Sequence, residues 1–480
     1  MSQSRKLNPL TMVSFGVGNS AEGIKSAAFG AFLLFYYQQI LGVSGALTGA
    51  ALALSLLADA VTDPMVGHIS DSAKSRWGRR HPFILMAAVP LGVTFFFLFS
   101  PPAGLPEWGY FAWLVVFAIS ARVAMTFYDI PHLALGAEMA PDYQQRTTLF
   151  SVSTGFRVVS GALVTFVAYR FLFPTTEIYD PGLLNPAGYF WLGIIFGLVM
   201  IVALVICVVG TASEIPFLRK SDETEHQSLF GVIAQMAQTW RSPSFRYIFV
   251  GLFLYILIVN IEQSLGTYMA VHFWGLKTET MSVLPLASLA GAICALPSVN
   301  LLTRLLDKRW VLILVTCLGF LNVNTFVAAR LFFPDVFPEN GSELIAVFVS
   351  INFFVVGFIS LSVVTTINSM YADVSDEYEL IVGKRREGML YATRSFANKA
   401  AAAIGLFIGG LLLDVIQFPE KASIGDVAGS TIWNLGLLYG PCTSILMLLS
   451  IYLYSRYRLG PREVRDIQEK LILRKAGEPG

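Results

Sequence analysis

The stretch ADAVTDPMVGHISDSAKSRWGRRHPFIL, residues 58–85, decides how this chain is read. Its first part closes an apolar run that begins near residue 44, and its end opens another that continues to about residue 100. Asp59 and Asp63 sit inside the first run, four residues apart and so on one face of a helix. The polar turn between the runs carries Lys74, Arg76, Arg79 and Arg80. Basic residues crowded at the end of an apolar helix mark the cytoplasmic end of a membrane span. Acidic residues within such a span are costly and face the interior of a helix bundle.

Working outward, the whole chain agrees. Of its 480 residues, 55% are hydrophobic and 14% charged. A soluble domain carries about 25% charged residues. A chain with 37 Phe and 18 Tyr and so little charge could not cover a water-facing surface. That weighs against a soluble enzyme, a disordered scaffold and a nucleic-acid binder. The balance of 33 basic and 32 acidic residues, net +1, offers no polyanion footprint. A span takes about 20 apolar residues, which leaves room for about a dozen. Cys207, Cys294, Cys317 and Cys442 each lie in an apolar run without metal-ligand spacing and read as small core hydrophobes. The opening MSQSRK is expected to be the cytoplasmic start of a retained helix rather than a signal peptide.

Twelve apolar segments fall near 10–40, 44–70, 82–100, 109–138, 147–174, 187–211, 246–273, 280–303, 309–332, 343–370, 388–416 and 430–456. They form an all-α polytopic membrane protein of two six-helix pseudo-symmetric halves. The expected boundaries are 1–210, a cytoplasmic linker over 211–245, a second half over 246–456 and a tail over 457–480. Part of the linker, about 227–241, has the character of an interfacial amphipathic helix. One set of loops holds the Lys74–Arg80 cluster, Arg219 with Lys220, Lys308 with Arg309, and Lys384, Arg385 and Arg386. The alternate loops hold at most one each: Arg170, Lys277, Arg330 and Lys421. Both termini are therefore expected in the cytoplasm. PMVGHISD (64–71) before Arg76-Trp77 and PSVNLLTR (297–304) before Arg309-Trp310 form a weak internal repeat, consistent with two halves and a substrate site between them.

The informative residues are charges inside spans, each costing about 2.5–3.5 kcal/mol at a helix centre. They are Glu22 and Lys25, Asp59 and Asp63, Arg122 and Asp129, Arg157, Glu262, and Arg394 and Lys399. Two neighbouring carboxylates in low dielectric persist if a cation sits between them, if one is protonated, or if a base such as Arg122, Arg157 or Lys399 pairs with them. The first two possibilities suit a Na+- or H+-coupled site, to which Thr62 could add a hydroxyl oxygen. Asp129 precedes Pro131 in TFYDIP and is a second candidate, with pairing to Arg122 as the structural alternative. Glu22 and Lys25, three apart, can pair with each other.

The 58–85 stretch resembles the second helix and following loop of the glycoside-pentoside-hexuronide:cation symporters, the melibiose-permease branch of the major facilitator superfamily. Gly67, Asp71, Gly78, Arg79 and Arg80 resemble the superfamily's general loop motif. DIPHLALGAEMAPDYQQRT (129–147) and ADVSDEYELIVGKRREGMLYA (372–392), with Lys399 twelve residues after Glu387, agree with the same family. The resemblance implies a cation site at Asp59, Thr62, Asp63 and Thr126. It implies a substrate site around Asp129 and Lys399, to which Glu22 and Arg157 are added from their positions. Asp71, Arg79 and Arg80 are expected to form a gating loop. Several positions depart from the family. Thr62 stands where sodium-using members often have asparagine. The family's helix I aspartate falls on Gly23, its helix V arginine on Thr154, and its sugar-stacking aromatics on Leu133 and Val364.

The expected function is secondary active symport, in which inward flow of Na+ or H+ drives uptake of a sugar or glycoside. No cofactor is expected beyond the coupling ion, and no nucleic-acid partner. A functional monomer in a bacterial inner membrane is expected. The competing readings are the same fold carrying a lysolipid or other small amphiphile, and a non-transporting receptor. An intramembrane hydrolase lacks a supporting HExxH or GxSxG motif.

Overall fold

The structure is a computed structural model. It describes residues 6–73, 75–140, 142–218, 239–335, 337–383, 387–422 and 425–476. The expected linker helix, Arg5, Lys74, Arg219, Lys220 and the Lys384–Arg386 cluster fall wholly or mainly outside these residues.

The described chain is helical and contains eleven helices long and apolar enough to cross a membrane. The remaining apolar segment, at the N-terminus, is helical too, but broken. It comprises α1 (Pro9–Gly18), α2 (Ser20–Ala28) and two π-helical stretches, Phe29–Leu33 and Tyr36–Leu41. Asn19 marks the break, and its Nδ2 donates to Ser153 O at 3.2 Å and Ser153 Oγ at 2.9 Å. An amide that reaches another helix in this way leaves its own helix free to bend.

The next spans are α3 (Gly45–Ser72), α4 (His81–Leu98), α5 (Glu107–Met139), α6 (Tyr143–Val167) and α7 (Pro186–Thr211). They are followed by α8 (Pro243–Tyr268), α9 (Val283–Leu305), α10 (Lys308–Phe332), α11 (Glu343–Val382), α12 (Glu387–Val415), α13 (Gly429–Leu437) and α14 (Thr443–Ser455). A polar helix, α15 (Pro461–Ala476), follows the last span.

The chain divides into two compact units. The first is Met1–Thr224 with Gln263–Leu286 and Leu406–Ile432; the second is Glu225–Glu262, Ala287–Gly405 and Trp433–Gly480. Within the first, α5 packs on α3 and α4, α4 packs on α7, and α1 and α2 pack on α6 and α7. Gly23 shows how close that last approach is. A Cβ there would lie 2.1 Å from the backbone oxygen of Arg157. Within the second unit, α10 packs on α11 and α14 around buried Leu312, Val315, Ile359, Val363 and Tyr454.

Large apolar side chains remain exposed along the spans. On α7 these include Phe190, Trp191, Leu198, Val202 and Val209, in a helix whose mean hydropathy reaches 3.3. Apolar surface on that scale is covered by lipid rather than water.

One feature of the first unit joins distant parts of the chain. The N-terminus of α3 has Ser44 as its cap residue, yet the Ser44 side chain makes no capping bond. Asp414 does this instead, accepting from Gly45 N and Ala46 N at 2.8 Å each. Gly45 and Gly410 allow the approach, since a Cβ on Gly410 would lie 2.1 Å from Gly45 O. Nearby, Gln39 donates to Pro419 O at 2.9 Å and accepts from Ala422 N at 3.0 Å.

Candidate functional site

The expected cation-site residues come together where α3 crosses α5. Helical spacing puts Asp59 and Asp63 on one face of α3, and Arg122 and Thr126 on the facing side of α5. Arg122 Nη1 donates to Asp59 Oδ2 at 2.9 Å, and its Nε donates to Ser55 Oγ at 2.8 Å. The Arg122 and Asp59 side chains are only 9% and 13% exposed, so the pair is largely withdrawn from solvent. Phe29 lies against the guanidinium, its ring centroid 5.4 Å from Cζ. One turn on, Thr126 Oγ1 donates to Asp63 Oδ1 at 3.0 Å. Thr62 Oγ1 is 3.4 Å from Thr126 Oγ1 and donates to Ala58 O at 3.1 Å. The four residues thus form one cluster, with the two carboxylates held differently, one by a guanidinium and one by a hydroxyl. The Arg122 pairing named among the alternatives is present at Asp59.

A second charged group lies beside the first. Lys25 Nζ is 2.7 Å from Glu22 Oε2, and Ser26 Oγ donates to Glu22 Oε1 at 2.7 Å. Glu22, Lys25, Asp63 and Arg157 are the charged groups whose fields act on Asp129. Asp129 and Arg157 are exposed although both lie well inside their helices. Glu22, Asp129 and Arg157 are therefore neighbours in the first unit, whereas Lys399 is a half-buried residue of α12 in the second. The departure at Gly23 has a steric cause, because the Cβ of an aspartate there would meet the α6 backbone. Leu133 and Val364, on the family's aromatic positions, are both exposed apolar side chains.

The loop residues also converge. Arg80 is buried and reaches Asp71, Ser70 Oγ at 2.8 Å and Glu138 Oε1 at 3.1 Å. Arg79 reaches the same Glu138 oxygen at 2.8 Å. Sequence reasoning placed Asp71, Arg79 and Arg80 here but missed Glu138. The available signal was its position inside the 129–147 signature, ten residues before Thr148 and in a helix otherwise poor in acid near that end. Ser55, which orients Arg122, was missed as well. One turn before Asp59, on the same face, it was findable by spacing. In the second unit Lys308 Nζ binds Asp373 at 2.6 and 2.9 Å, and Glu377 accepts from Ser242 and Ser244.

A charged cluster buried between apolar helices long enough to cross a membrane has the character of a polytopic transporter. The chain belongs to the MFS/sugar transport protein family, whose model matches residues 14–461. It is 24% identical to the uncharacterized symporter sll1374 of Synechocystis sp., over 99% of each chain. It is 25% identical to the glucuronide carrier protein homolog of Escherichia coli, over 87% of each. The inward-open xylose transporter XylE of E. coli has the same fold, with a TM-score of 0.57 at 14% identity over 96% of this chain and 98% of that one.

Proposed function

We propose that this protein is a secondary active symporter that couples inward flow of a cation, Na+ or H+, to uptake of a sugar or glycoside by alternating access. The observation that carries the reading is the juxtaposition of two charged groups in one unit. Asp59, Thr62, Asp63 and Thr126 supply oxygens for a coupling ion. Glu22, Asp129 and Arg157 lie beside them, with Asp63 acting on both groups. Charged side chains exposed within a span face a water-filled space, because lipid would not tolerate them. Carboxylates and a guanidinium in such a space suit the hydroxyl groups of a sugar. Lys399 is assigned to substrate binding from the signature it follows, and Asp71, Arg79 and Arg80 gate the cytoplasmic side. Relatives named as a symporter and as a glucuronide carrier homolog support coupling and a sugar-like cargo.

The proposed halves are 1–210 and 246–456, with a linker over 211–245 and a tail over 457–480. Both termini are cytoplasmic in an inner membrane, following the loop charges, and the monomer is the working unit. Leu133 and Val364, where the family has sugar-stacking aromatics, favour a second reading, an amphiphile cargo with an apolar portion. Asp59→Asn should abolish cation-driven accumulation in membrane vesicles while the protein still inserts. Uphill accumulation at the wild-type level would overturn the coupling role. A panel of glycosides and a lysolipid in the same assay separates the two cargo readings.

A further inference from the structure

We infer that Arg122 sets the ion selectivity of this transporter by acting as a built-in cation at Asp59, so that the site takes neither Na+ nor Li+. The inference rests on the symport reading and sharpens which ion it uses. A metal-ion site between Asp59 and Asp63 would need both carboxylates turned toward the ion. Here Asp59 Oδ2 is engaged by Arg122 Nη1 at 2.9 Å, and the guanidinium is itself fixed by Ser55 Oγ at 2.8 Å. Phe29 closes over it from α2's side. Both partners are largely buried, so the guanidinium cannot swing into bulk water to vacate the position without leaving Asp59 as an uncompensated buried charge. A metal cation entering beside it would meet a like charge in a weakly screened setting.

The hydroxyls themselves remain able to coordinate. A hard cation is coordinated by oxygen lone pairs. Thr62 Oγ1 spends its proton on Ala58 O and Thr126 Oγ1 spends its own on Asp63, which leaves lone pairs available in principle. With Asp59 neutralised by Arg122, however, the carboxylate charge that would attract a metal ion is halved.

The test uses full-length purified protein in detergent, with NaCl or LiCl replacing choline chloride at constant ionic strength, and reads the unfolding temperature. Wild-type protein should show no Na+- or Li+-specific stabilisation. Arg122→Gln should acquire a saturable Na+-specific shift, with apparent affinity at least about tenfold above any wild-type value, and Asp59→Asn/Arg122→Gln should lose it again. Saturable Na+ stabilisation of the wild type overturns the inference, as does a folded Arg122→Gln protein that gains none. Should Arg122→Gln fail to fold, the wild-type titration still decides. Failure of the symport reading looks different: no proton- or sodium-driven uptake of any cargo by vesicles, whatever the Na+ titration shows.

Discussion

Removing Glu138 should damage the protein far more than removing Asp71, although both are acidic partners of the same arginine. Arg80 is buried, with its side chain 5% exposed; Glu138 is 10% exposed and Asp71 42%. Glu138 serves two guanidinium groups, Arg79 at 2.8 Å and Arg80 at 3.1 Å. Hydrogen bonds to charged groups contribute about 1.5–3 kcal/mol each, and removing one partner of a buried pair costs about 3–5 kcal/mol. Solvent-exposed pairs contribute only about 0.2–1 kcal/mol. Two double-mutant cycles measure the difference, one on Arg80→Ala with Glu138→Ala and one on Arg80→Ala with Asp71→Ala. Unfolding by SDS titration in mixed micelles supplies the free energies. The Arg80–Glu138 coupling should be about 2–3 kcal/mol, and the Arg80–Asp71 coupling below about 1 kcal/mol. An Asp71 coupling equal to or larger than that of Glu138 would show that burial does not rank these pairs, and the reasoning would fail.

Gly23→Ala should prevent normal folding or lower the unfolding temperature sharply, because its Cβ would lie 2.1 Å from the Arg157 carbonyl oxygen. Gly155→Ala meets nothing within 4 Å and should be neutral or stabilising by up to about 1 kcal/mol. Equal behaviour of the two variants in size-exclusion and melting experiments would contradict the helix packing. Asp414→Ala removes two backbone caps and should cost about 1–2 kcal/mol, with Asp414→Asn in between; an unchanged melting temperature counts against the contact. Glu420, in the loop after α12, has its carboxyl pKa raised by burial and then by repulsion from Glu107 and Asp414, against the pull of Lys421. A raised folded-state pKa means that its contribution to stability is fully present below the unfolded value and is lost as pH rises through the folded one. Glu420→Gln should therefore melt above the wild type at neutral pH and match it below about pH 4. A lower melting temperature at neutral pH would reverse the sign.

The spans, their number and the intramembrane charges were legible in the sequence, because a bilayer imposes a long apolar period that any chain must satisfy locally. The meeting of Asp59, Asp63, Thr62 and Thr126 was legible in part: helical spacing aligns each pair, while the crossing of α3 and α5 came only with the family resemblance. What pairs with what was not legible. Arg122 had both Asp59 and Asp129 within plausible reach along the sequence, and the choice depends on the depth at which two helices cross. The break at Asn19 was likewise hidden. Residues 10–40 read as one apolar run, and asparagine breaks it only because Ser153 of another helix is there to receive its amide. Glu138 escaped notice for a related reason. Its importance comes from two arginines almost sixty residues earlier, and no local pattern records that.

The cap on α3 bears on how the chain is assembled. The two amide groups at Gly45 and Ala46 wait for a carboxylate 368 or 369 residues further along. During synthesis from the N-terminus, this second span is made early, whereas its finishing contact arrives only with the penultimate span. Until then its leading end must rely on water or headgroups, and the first unit stays incomplete while most of the second is still being produced. Because Asp414 lies so late in the chain, this helix end gains its cap only after nearly the whole polypeptide has been made.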